Sequence, residues 1–346
     1  HGSGGSKTHR YRDAQGMAAS ASGPSRSYAS TRKPPVHFRQ SPKRQITEAT
    51  VGARESLTPK VTIIGCGTPT PTPDSFGSAY VVDIGGEKLL FDCGPATTWK
   101  LVRNGIQPTE IDTVVFTHHH FDHDADFPTF ILTRWDRSVP KAKPLFTYGP
   151  TLTEKFTNGI LDEDTGLFAH DWKARVNHPS SQTLFAKRGG QLPRVKPEVL
   201  AKDIGPGVVT ETDRYRITAA PAEHVEPWLD SLAYRIDTDD GSLVITGDTR
   251  ACDSVANLAR GADVMMVMCW ESHEVMSPED LRTACSIRTA SEMAAETEVK
   301  QLTLVHIGPR LIEPEHADAS KHEAREFFGG ELVWGREGMI MPWPHG

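Results

Sequence analysis

Thr117-His118-His119-His120-Phe121-Asp122-His123-Asp124 is the most informative stretch of this chain. From 118 to 123, five of six consecutive residues are His or Asp. The run follows Thr113-Val-Val-Phe-Thr117, an apolar strand, so the loop at its C-terminal end presents side chains to one point. Neutral imidazoles and carboxylates are the ligands zinc takes outside thiolate sites. His118 and His120 are two apart and share a face on extended backbone, while His119 points the other way. Asp122 and His123 can then turn towards a second metal.

Three more candidate ligands lie downstream, each at a strand end or on the loop after it. His224 closes Pro221-Ala-Glu-His, Asp248 lies in Ile245-Thr-Gly-Asp-Thr, and His306 ends Leu302-Thr-Leu-Val-His. The alternation of apolar runs with Gly, Pro and Asn turns predicts strands at 61–65, 78–84, 88–92 and 113–117. Helices are expected at 96–104 and 124–135. Regularity returns with strands at 215–220, 231–237 and 242–246, a helix at 253–260, a strand at 263–269, a helix at 278–297 and a strand at 301–306. Strands followed by a helix, twice over, predict two β-rich halves with helices outside. Residues 136–210 show no clear period and read as an inserted cap or lid with short helices near 151–161.

The His-x-His-x-Asp-His run at 118–123, with later His, Asp and His in that order, resembles the metallo-β-lactamase fold of hydrolases over residues 60–340. The resemblance implies an α/β fold, a four-layer αββα sandwich with metals at one edge of the two sheets. It implies one zinc on His118, His120 and His224, a second on Asp122, His123 and His306, and Asp248 bridging them. Asp92, in Leu-Leu-Phe-Asp-Cys-Gly, matches the family acid that orients metal ligands. Gly65-Cys-Gly-Thr-Pro, Phe91-Asp-Cys-Gly, Gly247-Asp-Thr-Arg and His306-Ile-Gly-Pro-Arg are similar to ribonuclease Z signatures. Two departures follow: the family's His-Glu-Ala-Thr segment stands here as Val267-Met-Cys-Trp270, and its Gly-His-Ser-Thr as Ser286-Ile-Arg-Thr289.

The charge distribution bears on partners. Residues 1–57 carry ten Lys and Arg against three Asp and Glu, and the remainder carries 28 against 42. An acidic body is a poor partner for nucleic acid, because phosphate contacts supply most of that affinity. No run approaches the roughly 20 apolar residues of a membrane helix. Five Cys without a C-x-x-C argue for a reducing, cytoplasmic setting. The opening His-Gly-Ser-Gly-Gly-Ser reads as a tag stub and flexible linker. The rest of the basic tail reads as disorder, with a targeting peptide or an arm packed on a homodimer partner as alternatives. The hydrolase domain is then 58–346.

Together these readings describe a zinc hydrolase, with one or two ions per chain, in which a metal-bound hydroxide attacks a small-molecule substrate. The bond is an ester, lactone, phosphodiester, sulfate or carbon–halogen bond on an activated aromatic ring, the last making a hydrolytic dehalogenase. A tRNA 3′ endonuclease and a non-catalytic binding protein are the alternatives. Catalysis is expected at Asp248, His120 and His273, the last as general acid. Trp135, Trp228, Trp270 and Phe127 are candidates to line an apolar pocket.

Overall fold

A computed structural model describes residues 56–344. The basic tail and its alternative roles lie outside the described residues, apart from Ser56 and Leu57 at its end.

The chain builds two sheets, one after the other. The first holds β1 (Lys60–Cys66), β2 (Ser78–Ile84), β3 (Glu87–Phe91), β4 (Ile111–Val115), β5 (Leu145–Gly149) and β6 (Val199–Asp203), side by side in that order. Pairs β1–β2 and β2–β3 are antiparallel, and β3 to β6 are parallel. The second holds β7 (Gly207–Glu211), β8 (Tyr215–Ala222), β9 (Ser231–Thr238), β10 (Gly241–Ile245), β11 (Val264–Cys269), β12 (Gln301–Ile307) and β13 (Glu331–Trp334), again in order. It too starts as an antiparallel meander and becomes parallel from β10 onwards.

Three apolar layers explain the stacking. Ile63, Val82, Leu89 and Phe91 of the first sheet meet Ile217, Tyr234, Leu243 and Met266 of the second. The outer face of the first sheet is covered by α1 (Thr97–Arg103), α3 (Phe127–Arg137) and α4 (Thr153–Leu161), α2 (Phe121–Asp124) being a single turn before α3. The outer face of the second sheet is covered by α7 (Asp253–Ala259), α8 (Ile287–Glu296) and α10 (Pro314–Phe327), with α9 (Pro309–Ile312) before α10. Helices α5 (Ala169–Asn177) and α6 (Pro179–Lys187) complete the set. The result is the expected four-layer αββα sandwich, because each sheet has two apolar faces to bury.

The inserted cap is corrected. Within 136–210, β5 and β6 extend the first sheet and β7 edges the second, so the segment outside the sheets is 150–198, carrying α4 to α6. Helix 278–297 shrinks to α8, because the Ser286 hydroxyl accepts from Thr289 N and caps it there. Helix 124–135 divides into α2 and α3, with Pro128 near the start of the latter.

Asp136, at the end of α3, anchors a partly buried charge network. Arg194, whose side chain is 2% exposed, donates to Asp136 Oδ1 at 2.7 Å, and Arg188 donates to Oδ2 at 3.1 Å. The Arg194 guanidinium also lies 3.9 Å over the Trp135 ring and 4.5 Å over Phe185. Burial works against the Asp136 carboxylate, but the two arginines hold it below the usual carboxylate range. Asp136→Ala strands a buried guanidinium and is expected to cost about 3 kcal/mol in chemical denaturation. Because the folded pKa is depressed, the carboxylate's contribution is present above about pH 4 and fades as pH falls through the folded value. An unchanged denaturation midpoint in the variant contradicts this.

Candidate metal centre

All seven candidate ligands converge where the strands of both sheets end. His118, His120, Asp122 and His123 follow β4, His224 follows β8, Asp248 follows β10, and His306 lies at the end of β12. The ligand atoms of His118, His120 and His224 lie within 4.8 Å of one another, as do those of His118, His123 and Asp248, and those of Asp122, His123 and His306. Two backbones are bent to reach this point: Asp92 at φ 58° and His306 at φ 47° occupy the left-handed region that non-glycine residues rarely adopt. Gly94 lets the strand-end loop touch the metal loop. A Cβ there would lie 2.0 Å from Asp122 O, and the adjacent Cys93 N donates to His123 O at 2.6 Å.

Hydrogen bonds behind the ligands fix which nitrogen faces inwards. His224 Nδ1 donates to the Thr283 carbonyl at 2.6 Å, since a carbonyl only accepts. His123 Nδ1 meets Asp92 Oδ2 at 2.7 Å. The Thr117 hydroxyl bonds Asp92 Oδ2 at 2.9 Å and His118 Nδ1 at 3.1 Å. The Nε2 lone pairs of His118 and His224 are left to converge on His120 Nδ1, at 3.0 and 3.3 Å. Three ring nitrogens share at most one proton there, which fits a cation in their midst. His306 Nε2 approaches Asp122 Oδ2 at 3.0 Å and Asp248 Oδ2 at 3.4 Å. Asp122 Oδ1, His123 Nε2, Asp248 Oδ1 and His306 Nδ1 are buried without a hydrogen-bond partner. Buried polar atoms are rarely left so, and metal ions would satisfy three of these inward-facing atoms.

Electrostatics follow the same division. Burial, reinforced by the neighbouring imidazoles, holds His118 well below the ordinary histidine range and lowers His120. His123 goes the other way: burial opposes its charge, but Asp248 and Asp92 on either side raise it well above that range. Burial also opposes ionisation of Asp248, and His306 and His123 outweigh it, so the carboxylate stays ionised. Asp122 is lowered against its own burial by the His306 hydrogen bond.

The remaining sequence candidates scatter. His273 is outside the ligand clusters. Its Nδ1 meets Ser286 Oγ at 2.9 Å and its backbone N–H donates to Glu323. Trp228 stands four residues beyond His224 and is 88% exposed; Trp270 is 37% exposed, on the loop after β11. Phe127 and Trp135 are corrected: both are core residues of α3, not pocket walls. Phe127 packs edge-on against Phe116, and Trp135 packs with Trp172 while donating Nε1–H to Val195 O. Their spacing with Phe130, Ile131 and Arg134 is one buried helix face, a periodicity visible in the sequence. Thr117 and Thr283, which orient two ligands, escaped the sequence reading because one acts through a common hydroxyl and the other through its backbone.

A family model described as the beta-lactamase superfamily domain matches residues 87–307. Ribonuclease Z of Mycolicibacterium gilvum is 29% identical over 259 residues, covering 73% of this chain and 85% of that one. The metallo-β-lactamase fold protein YhfI of Bacillus subtilis superposes with a TM-score of 0.60 at 21% identity, covering 82% of this chain and 99% of that one. The short form of human tRNase Z gives 0.59 at 18%, covering 83% and 100%. The chain belongs to the beta-lactamase superfamily, on its ribonuclease Z-like branch. It is a metal-dependent hydrolase. Among the described residues, no helix is long and apolar enough to cross a membrane.

Proposed function

We propose that this hydrolase holds two zinc ions and acts on a small molecule. The donor set supports zinc: five imidazoles and two carboxylates, with no thiolate in the clusters, suit a borderline cation. His118, His120 and His224 would hold one ion, and Asp122, His123 and His306 the other, with Asp248 between. Two such ions supply an acidified water and polarise the bond under attack. The chain's own residues do the rest. Asp92 and Thr117 orient His123 and His118. Asp248 is kept ionised to steady the nucleophile and take its proton. His120 is half-buried and so more accessible than the buried His118 on the same loop. His273, with Nδ1 held by Ser286, offers Nε2 to a leaving group.

The observation that carries the small-molecule reading is the fate of five of the eleven basic side chains in 136–210. Arg188 and Arg194 are consumed by Asp136, and Lys143 lies 3.6 Å from Asp112. Lys141 and Lys187 are exposed but stand apart in sequence. An RNA arm needs free cations in a row. The relatives named ribonuclease Z favour the second reading, a tRNA 3′ endonuclease. Zinc-loaded protein tested against an ester, a lactone, a phosphodiester and a haloaromatic is expected to turn over one class, with loss on chelation; turnover of the haloaromatic makes it a hydrolytic dehalogenase. Inactivity on all four contradicts the proposal.

A further inference from the structure

His119 lies between two ligands and touches neither cluster. Its imidazole is turned to the back of the metal loop, where its side chain is 4% exposed. Nδ1 meets Asp124 Oδ2 at 3.1 Å, and Nε2 meets Thr153 Oγ1 at 2.8 Å. Thr153 is the first residue of α4, and its hydroxyl also reaches Pro150 O at 2.8 Å. The ring is boxed in by Phe116, 5.1 Å away between centroids, and Phe156 of α4, at 5.6 Å. Phe127 packs against both of these phenylalanines.

A second feature belongs to the same device. Gly149, the last residue of β5, has no Cβ, and one placed there would lie 2.4 Å from Thr153 Oγ1 and 2.9 Å from Phe116 Cβ. The backbone is therefore kept bare where Thr153 turns in to meet His119. The ends of β4 and β5 are joined by Phe116 N donating to Tyr148 O at 2.8 Å. One strand end leads into the ligand loop and the other into α4, and His119 closes the gap between them.

We propose that His119 is a positioning residue. With Asp124 and Thr153 it latches the ligand loop to α4 from behind, so that His118 and His120 are held in place for a metal before it arrives. The imidazole is locked by two polar partners at opposite ring edges and by aromatic walls on its faces. A side chain so fixed dictates the backbone of the residues on either side. The latch rests on the reading that His118 and His120 bind metal.

The test measures zinc affinity of the full chain by competition with a chromophoric chelator, alongside thermal melting of the metal-stripped proteins. His119→Ala and Thr153→Val are each expected to weaken zinc binding about 10- to 100-fold, the usual effect of losing a group that orients a ligand. Thr153→Ser, which keeps the hydroxyl, should retain wild-type affinity. The double variant should lose little more than the worse single one, because both remove the same interaction. A merely structural role would lower the melting temperature and leave the affinity of the folded protein alone, and that result overturns the latch. If His119→Ala does not fold, the near-isosteric Thr153→Val decides. Wild-type protein that binds no zinc overturns the metal reading and the latch with it; tight wild-type binding with unchanged variants overturns the latch alone.

Discussion

Asp248→Ala is expected to reduce hydrolysis by about 10³-fold or more, the order of magnitude lost when one preorganised electrostatic group is removed from a site. The carboxylate stands between the two ligand groups, 3.5 Å from His123 Nε2, 3.4 Å from His306 Nε2 and 3.9 Å from His224 Nε2. Among the described residues it is the acid whose carboxylate comes within 4 Å of imidazoles from both groups. Its removal leaves His123 with Asp92 at Nδ1 and Asp122 Oδ2 3.6 Å from Nε2, but takes away the carboxylate between the two groups, so metal content should fall together with rate. The fold should survive, because Asp248 lies on the loop after β10 and contributes nothing to the apolar layers. Wild-type turnover in the variant contradicts the bridging assignment.

The second large effect concerns substrate. Incubated with a 3′-extended tRNA, the zinc-loaded protein is expected to leave it intact. Residues 58–346 carry 28 Lys and Arg against 42 Asp and Glu. Lys and Arg contacts to phosphate supply most nucleic-acid affinity, and an acidic body offers few of them. The stretch where the nuclease carries His-Glu-Ala-Thr is Val267-Met-Cys-Trp270 here, with Val267, Met268 and Cys269 all buried on β11. That stretch holds no histidine to donate a proton to a leaving group. Specific cleavage next to the discriminator base, abolished at high salt, contradicts the small-molecule reading.

The convergence of the seven candidate ligands was legible because its signal is chemical and contiguous. Five His or Asp in six residues have few other uses, and the later ligands each follow an apolar strand. Strands such as β11 and β12, buried at every position, were legible for the same reason. The missed elements lie at edges or are polar. β6 and β7 are sheet edges with no fully buried residue, so no apolar run marks them. α10 buries only Ser320 and Ala324, which gives no hydrophobic period to read. Phe127 and Trp135 read wrongly as pocket walls for a different reason: an aromatic residue states its size and not its direction. Phe127 and Trp135 point into cores, while Trp228 stands in solvent. His119 illustrates the remaining gap. Its alternation with His118 and His120 shows that it faces away, but what it meets there is set by α4, thirty-odd residues further on.

The most direct measurement is the metal content of the full chain after zinc supplementation and removal of loosely bound ions. Close to two zinc ions per chain, or one tight and one weak, is the expected result, given seven convergent ligands and buried donor atoms with no other partner. Elemental analysis that finds no transition metal contradicts the zinc assignment at its root.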